Sequence, residues 1–412
     1  MTPPVLWVVT DQLPAPPRNG ITLPLFHHLA HLQRHFSVRL CLLEPDGGPP
    51  QQEFVARNEA LYGPVLRLRL QRRPRWRRVV DELARREMFQ HGWVLAAGQD
   101  SAAQVLQGAP AVLVSPMSAL AQWRAVCAAA RLSVGRTVAA VNDCTAAEYR
   151  HRGRAAGLRP RQRVKAAIDA LRAGGIGRIE AALLSRCDAV LVQTDADRMA
   201  LRALAGPAAA ARAQVVPNGV DARLFALPPP DTAGVLFVAD LGGEYVPTAH
   251  WLVERVWPLV RQAVPAARLR VVGRNAPAPL LQALAAAEGV LHQPYADDLL
   301  PCYAGAAVVW SPVFKGFGLI NKTLEAMAAA RAVVGGAAAF NGIQGFAAGT
   351  HARVVAQDDA AAMAAATVAL LRDPAAAQAM GLAARSLVVT SFDWARAAQA
   401  VRAALLGTPA HP

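Results

Sequence analysis

The stretch Val216-Pro217-Asn218-Gly219-Val220-Asp221 is followed shortly afterwards by Pro228-Pro229-Pro230. Asn-Gly pairs and clustered prolines are typical of turns and linkers, so this stretch predicts a boundary between two folded parts. The chain has 412 residues, which is more than one hydrophobic core usually supports. Because 54% of the residues are apolar, the chain can fill two cores. The sequence therefore predicts two domains that meet near residue 219.

On both sides of this boundary, short runs rich in Val and Leu alternate with amphipathic segments. Such runs are typical of strands buried on both faces, and their alternation with helices indicates a parallel α/β sheet. We expect two Rossmann-like, doubly wound domains, which bind ligands at the carboxyl ends of their strands, over residues 1–218 and 219–390. The predicted strands are Val5–Thr10, Val38–Leu43, Val94–Ala97, Ala111–Ser115, Thr137–Val141, Ala189–Thr194, Val235–Ala239, Leu269–Gly273, Val308–Ser311 and Ala332–Gly335.

The composition limits the partners and the compartment. A net charge of +14 favours acidic partners such as nucleotides or anionic lipids. The arginines are scattered without interleaved aromatic residues, so nucleic acid is not an expected partner. The five cysteines form no CxxC motif, which argues against a disulfide framework or a zinc site and favours the cytoplasm. No apolar stretch of about 20 residues predicts a membrane span, and Val5–Thr10 is too short for a signal peptide.

The segment from Trp310 to Ala328 reads WSPVFKGFGLINKTLEAMA and carries the clearest chemical pattern in the chain. A predicted strand ends in this segment, a glycine-containing loop follows, and a helix is predicted from about Gly318. The free N–H groups of a first helical turn bind anions, and a diphosphate is the obvious ligand. Lys322 adds a positive charge, and Glu325 shares its helix face and could accept hydrogen bonds from a ribose. An ordinary surface ion pair on a glycine-capped helix explains the same spacing.

The segment resembles the Gly-loop and Leu-Glu-Ala-Met-Ala motif of retaining glycosyltransferase family 4, which has the two-lobed GT-B fold. Val216–Asp221 resembles the Pro-Asn-Gly-Val-Asp that opens the second lobe in that family. The runs from Phe237 to Leu259, from Val271 to Pro277 and from Asn321 to Glu325 resemble a subgroup found with exosortase and PEP-CTERM systems. The resemblance covers most of residues 1–405 and is loose between 45 and 135. It also implies that a final helix over 391–412 packs back on the first lobe.

The resemblance assigns roles to particular residues. The N–H groups of Gly318, Leu319 and Ile320 would hold the diphosphate of a nucleotide sugar, and Glu325 would hold its ribose. Lys322 would lie near the phosphates and support catalysis. Pro16 to Gly20 resembles the first glycine loop of the family, which makes Gly20 a further donor-binding residue.

Three positions depart from the family pattern. The glutamate that contacts the sugar in the more typical branch is replaced by Phe317. The first loop of the second lobe, residues 240–245, has no basic residue, and Arg274 and Lys315 are the predicted replacements for that charge. A first-lobe histidine found in many members is replaced by the run 141–144, in which Asp143 is the predicted catalytic residue.

The resemblance predicts a metal-independent glycosyltransferase that uses a UDP- or GDP-sugar as substrate and has no cofactor. The acceptor hydroxyl would belong to a glycan, a lipid-linked compound or a small molecule, and the configuration of the sugar would be retained. Two alternatives remain open at this stage. A sugar-nucleotide epimerase shares the GT-B architecture, and a non-catalytic GT-B scaffold would explain the departures from the family pattern.

Two further patterns have weaker functional interpretations. His27, His28, His31 and His35 lie on one predicted helix, but they flank its apolar stripe and no HExxH motif is present, so no metal site is predicted. The basic stretch Arg67–Arg78 is either a solvated loop followed by the start of a helix or a contact with an anionic membrane. The second interpretation predicts a peripheral protein at the inner face of the cytoplasmic membrane.

Overall fold

The structure is a computed structural model that describes residues 3–47, 51–84, 86, 88, 92–142, 145–146, 149, 160–230, 233–314 and 318–408. The chain divides into two compact units. The first unit comprises Met1–Pro217 together with Trp394–Pro412, and the second comprises Asn218–Asp393. Each unit is built on its own sheet, which confirms the predicted fold class of two parallel-sheet α/β domains.

Within its described residues, the first unit contains one eight-stranded sheet. Its strands are β1 (Val5–Thr10), β2 (Ser37–Pro45), β3 (Leu66–Arg72), β4 (Trp93–Leu95), β5 (Ala111–Ser115), β6 (Arg136–Asn142), β7 (Ala189–Val192) and β8 (Ala213–Val215). They lie in the order β4-β3-β2-β1-β5-β6-β7-β8, and neighbouring strands are parallel except for β3 and β4. The strand order reverses between β1 and β5, where sheets of this kind bind ligands.

Helices cover both faces of this sheet, and the central strands are buried accordingly. In β1, for example, every residue from Leu6 to Thr10 is buried. The helices are α1 (Thr22–Leu32), α2 (Gln52–Tyr62), α3 (Arg75–Leu83), α4 (Asp100–Ala103), α5 (Met117–Ala130), α6 (Pro160–Leu184), α7 (Asp195–Ala205) and α8 (Pro207–Ala211).

The last helix of the chain, Trp394–Leu406, packs on the first unit and is called the C-terminal helix below. The ring of Trp394 stacks on His27 with 4.4 Å between centroids. His28 is buried beside it, and burial lowers the pKa of this imidazole to about 3. These histidines therefore pack against the C-terminal helix. Among the described residues, no three His, Cys, Asp or Glu side chains are grouped so that they could hold a metal ion.

The described part of the second unit contains a six-stranded sheet in which all neighbouring strands are parallel. Its strands are β9 (Gly234–Val238), β10 (Arg268–Val272), β11 (Val290–Gln293), β12 (Val308–Ser311), β13 (Ala332–Gly335) and β14 (Arg353–Val354). The order is β11-β10-β9-β12-β13-β14. The first strand of the unit, β9, thus lies between β10 and β12, and the strand order reverses beside it. The loops that follow β9 and β12 emerge at this point, where a ligand is expected.

Seven described helices flank the second sheet. They are α9 (Val246–Trp251), α10 (Trp257–Ala263), α11 (Ala278–Ala286), α12 (Leu300–Ala304), α13 (Asn321–Ala328), α14 (Ala360–Arg372) and α15 (Pro374–Val389), and a π-helical turn, Leu252–Val256, joins α9 to α10. Aspartates fix the starts of two of them, since Asp359 accepts a hydrogen bond from the Ala362 N–H and Asp373 accepts one from Ala376. None of the described helices combines the length and the apolar character that a membrane span requires.

The basic stretch Arg67–Arg78 differs from the predicted loop. Its first half belongs to β3, where leucines point inward and arginines point outward with a period of two residues. Pro74 then separates this strand from α3. Part of the positive charge is already paired, because Arg67 binds Glu44 at 2.7 Å and Arg73 binds Asp81 at 3.0 Å.

Candidate functional site

A left-handed glycine precedes α13 at the carboxyl end of the second sheet. Gly318 has a φ of 82°, a conformation that side chains disfavour. The helix begins at Asn321 and not near Gly318, because Ile320 still has an extended backbone. Within the described part of the chain, the N–H groups of residues 319–322 have no hydrogen-bond acceptor. Such N–H groups, together with the helix dipole, favour an anion.

Lys322 and Glu325 form a close ion pair on the first turns of α13. The Lys322 ammonium donates to both carboxylate oxygens of Glu325 at 2.9 Å. The hydroxyl of Tyr303, from α12, donates to Oε2 of the same carboxylate at 2.9 Å. Burial, and then the charge and hydrogen bond of Glu325, raise the pKa of Tyr303 well above its usual value, so this hydroxyl stays protonated. The carboxylate is therefore held by a buried donor, which an ordinary surface ion pair lacks.

Two further hydrogen bonds fix the start of α13. The Ser311 hydroxyl, at the end of β12, lies 2.7 Å from the Thr323 hydroxyl, and both side chains are buried. The Asn218 amide donates to the Asn321 side-chain oxygen at 2.7 Å. The loop therefore ends in a helix whose first turn is held from two sides, and the unpaired N–H groups have a fixed position.

The loops after β9 and β10 lie at the same edge of the sheet. The Asn275 amide donates to both oxygens of Asp240 at 3.0 Å, and the Leu241 N–H donates to the Arg274 carbonyl at 2.9 Å. Arg274 is exposed in the loop after β10. Because β10, β9 and β12 are neighbours, the structure brings Arg274 to the edge that also carries Gly318, Leu319, Ile320, Lys322 and Glu325.

One predicted residue, Gly20, is not part of this group, and two others lie outside the described residues. Gly20 lies in the first unit, in a loop that Asn19 closes by accepting hydrogen bonds from the N–H groups of Ile21 and Thr22. An added Cβ at Gly20 would meet no atom within 4 Å, so packing within the protein does not require glycine there. Asp143 and Lys315 lie outside the described residues, as does Phe317.

The structure also identifies polar residues that the sequence patterns did not. Tyr303 and Asn218 support α13 from distant parts of the chain. In the first unit, Asp11 follows β1 at the point where the strand order reverses, and Ser118 donates to its Oδ2 at 2.5 Å. Its Oδ1 is buried without a hydrogen-bond partner among the described residues, and burial raises the pKa of this carboxyl. Its position directly after a predicted strand was the one available sequence signal.

The solved structures that share this fold over nearly the whole chain include the following three. HepE from Anabaena, in a structure described as a complex with UDP and glucose, is 14% identical, with 98% of this chain and 99% of that chain covered and a TM-score of 0.66. Sucrose-phosphate synthase from Thermosynechococcus elongatus is 19% identical, with 97% of both chains covered and a TM-score of 0.64. A glycosyltransferase from Rickettsia africae is 11% identical, with 99% and 100% covered and a TM-score of 0.60. The protein has the GT-B fold of these enzymes.

A sequence match within the second unit identifies the class of enzyme. Residues 232–373 match the domain model described as Glycosyl transferases group 1. This range includes β9 to α14 and therefore the whole edge at which Lys322 and Glu325 lie. Among curated proteins, no sequence matches this chain. The protein is a glycosyltransferase of the GT-B type, as the sequence predicted.

Proposed function

We propose that the enzyme transfers a sugar from a UDP- or GDP-sugar to a hydroxyl acceptor, with retention of configuration, as a member of glycosyltransferase family 4. The observation that carries this proposal is the start of α13, where unpaired N–H groups lie beside an anchored Lys322–Glu325 pair. The solved structure of HepE, described as containing UDP and glucose, has the same fold and supports a nucleotide sugar as donor. The sequence pattern further supports a place in glycan or glycoconjugate synthesis, in the exosortase-associated subgroup.

The donor diphosphate would bind at the N–H groups of Gly318, Leu319 and Ile320. Lys322 has three N–H donors and can contact a phosphate oxygen while it keeps a bond to Glu325. The carboxylate of Glu325 accepts hydrogen bonds only, which matches the two hydroxyl donors of a ribose. Arg274 and Lys315 would supply the additional positive charge at the donor, and the proposal requires neither a metal nor a cofactor.

In the proposed reaction, the acceptor hydroxyl attacks the anomeric carbon from the face that the leaving diphosphate occupies. The bond to the diphosphate breaks as the new bond forms, negative charge develops on the departing phosphate oxygen, and the proton of the hydroxyl passes to that oxygen. Fixed N–H donors and the Lys322 ammonium stabilise that charge without reorganisation, which is the largest contribution an enzyme of this kind can make. Asp143 remains the proposed catalytic residue of the first unit. Asp11 is a further carboxyl in this unit, directly after β1 where the strand order reverses, and burial raises its pKa.

A thermal-shift screen against UDP, GDP and ADP tests the donor proposal. A nucleotide at about 100 times its Kd adds about 2.7 kcal/mol to the free energy of unfolding of the unit that binds it. For a unit of this size, that corresponds to a rise of about 5 to 10 °C in Tm. We expect such a rise with UDP or GDP and a smaller one with uridine or guanosine. No shift with any nucleotide would favour a non-catalytic scaffold, and donor consumption without a glycosylated product would favour an epimerase.

We also propose that the arginines between residues 67 and 78 contact an anionic membrane surface that carries the acceptor. Arg69, Arg72, Arg75 and Arg77 are exposed. Arg78 is buried, and Arg67 and Arg73 are paired with Glu44 and Asp81. The first four residues are therefore the ones to replace, because neither burial nor an ion pair ties them to the fold. Each basic residue near an anionic surface contributes about 1 kcal/mol, so replacement of all four with Gln should weaken vesicle binding by about 100- to 1000-fold.

Vesicle binding by the parent protein should also fall steeply as the salt concentration rises, because exposed charges are screened. The control is Arg34→Gln with Arg57→Gln, which removes two exposed arginines that lie after α1 and on α2. Sedimentation with phosphatidylserine vesicles measures the effect. Binding that is insensitive to salt and to the four substitutions would rule out this contact.

A further inference from the structure

The first unit contains a cavity of about 620 Å³, a volume typical of ligand pockets. It lies between the start of α3, the second half of α5 and the end of α6. No predicted donor or acceptor residue lines it. Six of the residues that line it are arginines, namely Arg72, Arg73, Arg77, Arg86, Arg124 and Arg186.

Among the described residues that line the cavity, the positive charge is largely uncompensated. Among the described lining residues, Asp81 is the single carboxylate, and Arg73 already binds it. The Nε of Arg124 is buried and has no hydrogen-bond partner among the described residues, and its Nη2 contacts only the Cys187 sulfur, at 3.9 Å. Guanidinium groups held close together repel one another unless an anion lies between them. Their planar donors match phosphate oxygens well.

The helix that forms one wall of the cavity also carries an exposed apolar edge. Trp76, Val79, Val80 and Leu83 have the spacing of one face of α3, and their exposed fractions lie between 42% and 79%. On α6, Val164, Ile168 and Leu171 form a second exposed row, with fractions between 49% and 84%. The two helices are joined by the Arg172–Glu82 ion pair at 2.7 Å, directly beside Leu171 and Leu83.

An apolar helix face rimmed by arginines fits the interface of an anionic membrane, where apolar side chains enter the acyl region and arginines reach the headgroups. The arginine cavity opens on the same helix, α3, because Arg77 and Asp81 line it. A lipid whose phosphate enters the cavity would therefore leave its acyl chains next to the apolar edge. A soluble phosphate compound has no acyl chains that could contact the apolar edge. The arrangement therefore favours a lipid headgroup.

We propose that the cavity binds the phosphate or diphosphate group of a membrane lipid, while the apolar edges of α3 and α6 lie in the bilayer. The inference rests on the proposed membrane contact and adds a specific headgroup site to it. It is independent of the donor site on the second unit, so the two can be tested separately.

Calorimetry with pyrophosphate tests the phosphate site in isolation. The titration is done with saturating UDP, so that the proposed donor site is occupied. We expect Arg124→Gln with Arg186→Gln to weaken pyrophosphate binding about tenfold or more, because each charge-assisted contact is worth about a factor of ten. The equally charged control, Arg34→Gln with Arg57→Gln, should bind like the parent protein. If the double variant fails to fold, Arg186→Gln alone, at an exposed position, gives the same comparison.

Vesicles of phosphatidylcholine with phosphatidic acid test the lipid as the source of the phosphate. Of the eight tryptophans, Trp76 is the one that is mostly exposed. Vesicle binding should therefore reduce the quenching of tryptophan fluorescence by acrylamide. Trp76→Phe should abolish this reduction in quenching. Leu83→Ser should weaken vesicle binding about tenfold and leave pyrophosphate binding unchanged. The double variant Arg124→Gln with Arg186→Gln, called the cavity variant, should weaken vesicle binding more than the control Arg34→Gln with Arg57→Gln does.

The possible outcomes separate the alternatives. Vesicle binding that depends on the cavity supports the proposal, whether or not pyrophosphate alone binds measurably. Pyrophosphate binding that depends on the cavity, without vesicle binding, would assign the site to a soluble phosphate compound and overturn the lipid assignment. Equal effects of the cavity variant and the control would overturn the site itself. In each case, an unchanged UDP affinity indicates that the donor site is intact.

Discussion

The substitution Glu325→Gln is expected to weaken UDP binding by about 30-fold or more and to reduce turnover by at least the same factor. A hydrogen bond to a charged group contributes about 1.5 to 3 kcal/mol. Two such bonds from the ribose hydroxyls to Glu325 would be weakened by the substitution. The amide of Gln keeps the shape of the carboxylate, but one of the two carboxylate oxygens is replaced by a nitrogen, which donates hydrogen bonds and cannot accept them. The side chain also loses its charge partner, Lys322, which it contacts at 2.9 Å. Calorimetric titration with UDP and steady-state rates measure the two effects.

A matched control for this substitution is available in the same unit. Glu254 is exposed and pairs with His250 at 2.7 Å, one turn away on its own helix. Glu254→Gln therefore removes the same charge from a comparable pair outside the proposed site. We expect this variant to bind UDP and turn over like the parent protein. If Glu325→Gln behaves like Glu254→Gln, with both folded, Glu325 does not hold the ribose.

The substitution Lys322→Ala is expected to lower kcat far more than the affinity for UDP. Removing one donor aimed at developing charge typically costs about 10²- to 10³-fold in kcat. The N–H groups of residues 319–322 remain, so the diphosphate keeps most of its ground-state contacts. An interaction made mainly in the transition state lowers kcat and kcat/KM together. We therefore expect UDP affinity to change by less than about tenfold.

Two further variants separate the effect of the Lys322 charge from the effect of the contacts of Glu325. Lys322→Met keeps the length of the side chain without its charge, and it should behave like Lys322→Ala if the charge is what matters. Tyr303→Phe removes the third contact of Glu325 and leaves Lys322 in place. It should lower UDP affinity modestly and leave kcat nearly unchanged. A loss of UDP affinity with kcat unchanged in Lys322→Ala would assign Lys322 to binding alone, and no loss of either would remove it from the site.

The fold was predictable because buried parallel strands are continuous apolar runs. The predicted strands Val5–Thr10, Ala111–Ser115, Val308–Ser311 and Ala332–Gly335 have the bounds found in the structure. Strand β3 was not predicted, since every second residue in it is an arginine or a glutamine and the stretch was interpreted as a basic loop. The antiparallel direction of β4 depends on a pairing with β3 that the local sequence does not specify.

The candidate site was predictable only within a single helix. Lys322 and Glu325 are three residues apart, and this spacing alone places them on one face of α13. The residues that hold this pair and its helix in place are much further away along the chain. Tyr303 is 22 residues from Glu325, and Asn218 is 103 residues from Asn321. These pairs form because α12, α13 and the first residues of the unit share one buried cluster, which the periodicity of the sequence does not encode.

The helix start was misplaced for a local reason. A glycine was expected to open the helix, but Gly318 adopts a left-handed conformation and the chain runs on to Ile320 before α13 begins. The result for the site is favourable, because more backbone N–H groups are left outside the helix. The loop and the first turn together present the donors that a diphosphate requires.

The position of the donor can be observed in a crystal structure of the protein with UDP. We predict that the diphosphate lies at the start of α13, within about 3 Å of backbone N–H groups between residues 318 and 322. The Lys322 ammonium should contact a phosphate oxygen, and the ribose hydroxyls should donate to Glu325. UDP bound at another place, with no ligand at α13 or at the Lys322–Glu325 pair, would rule out the proposed donor site.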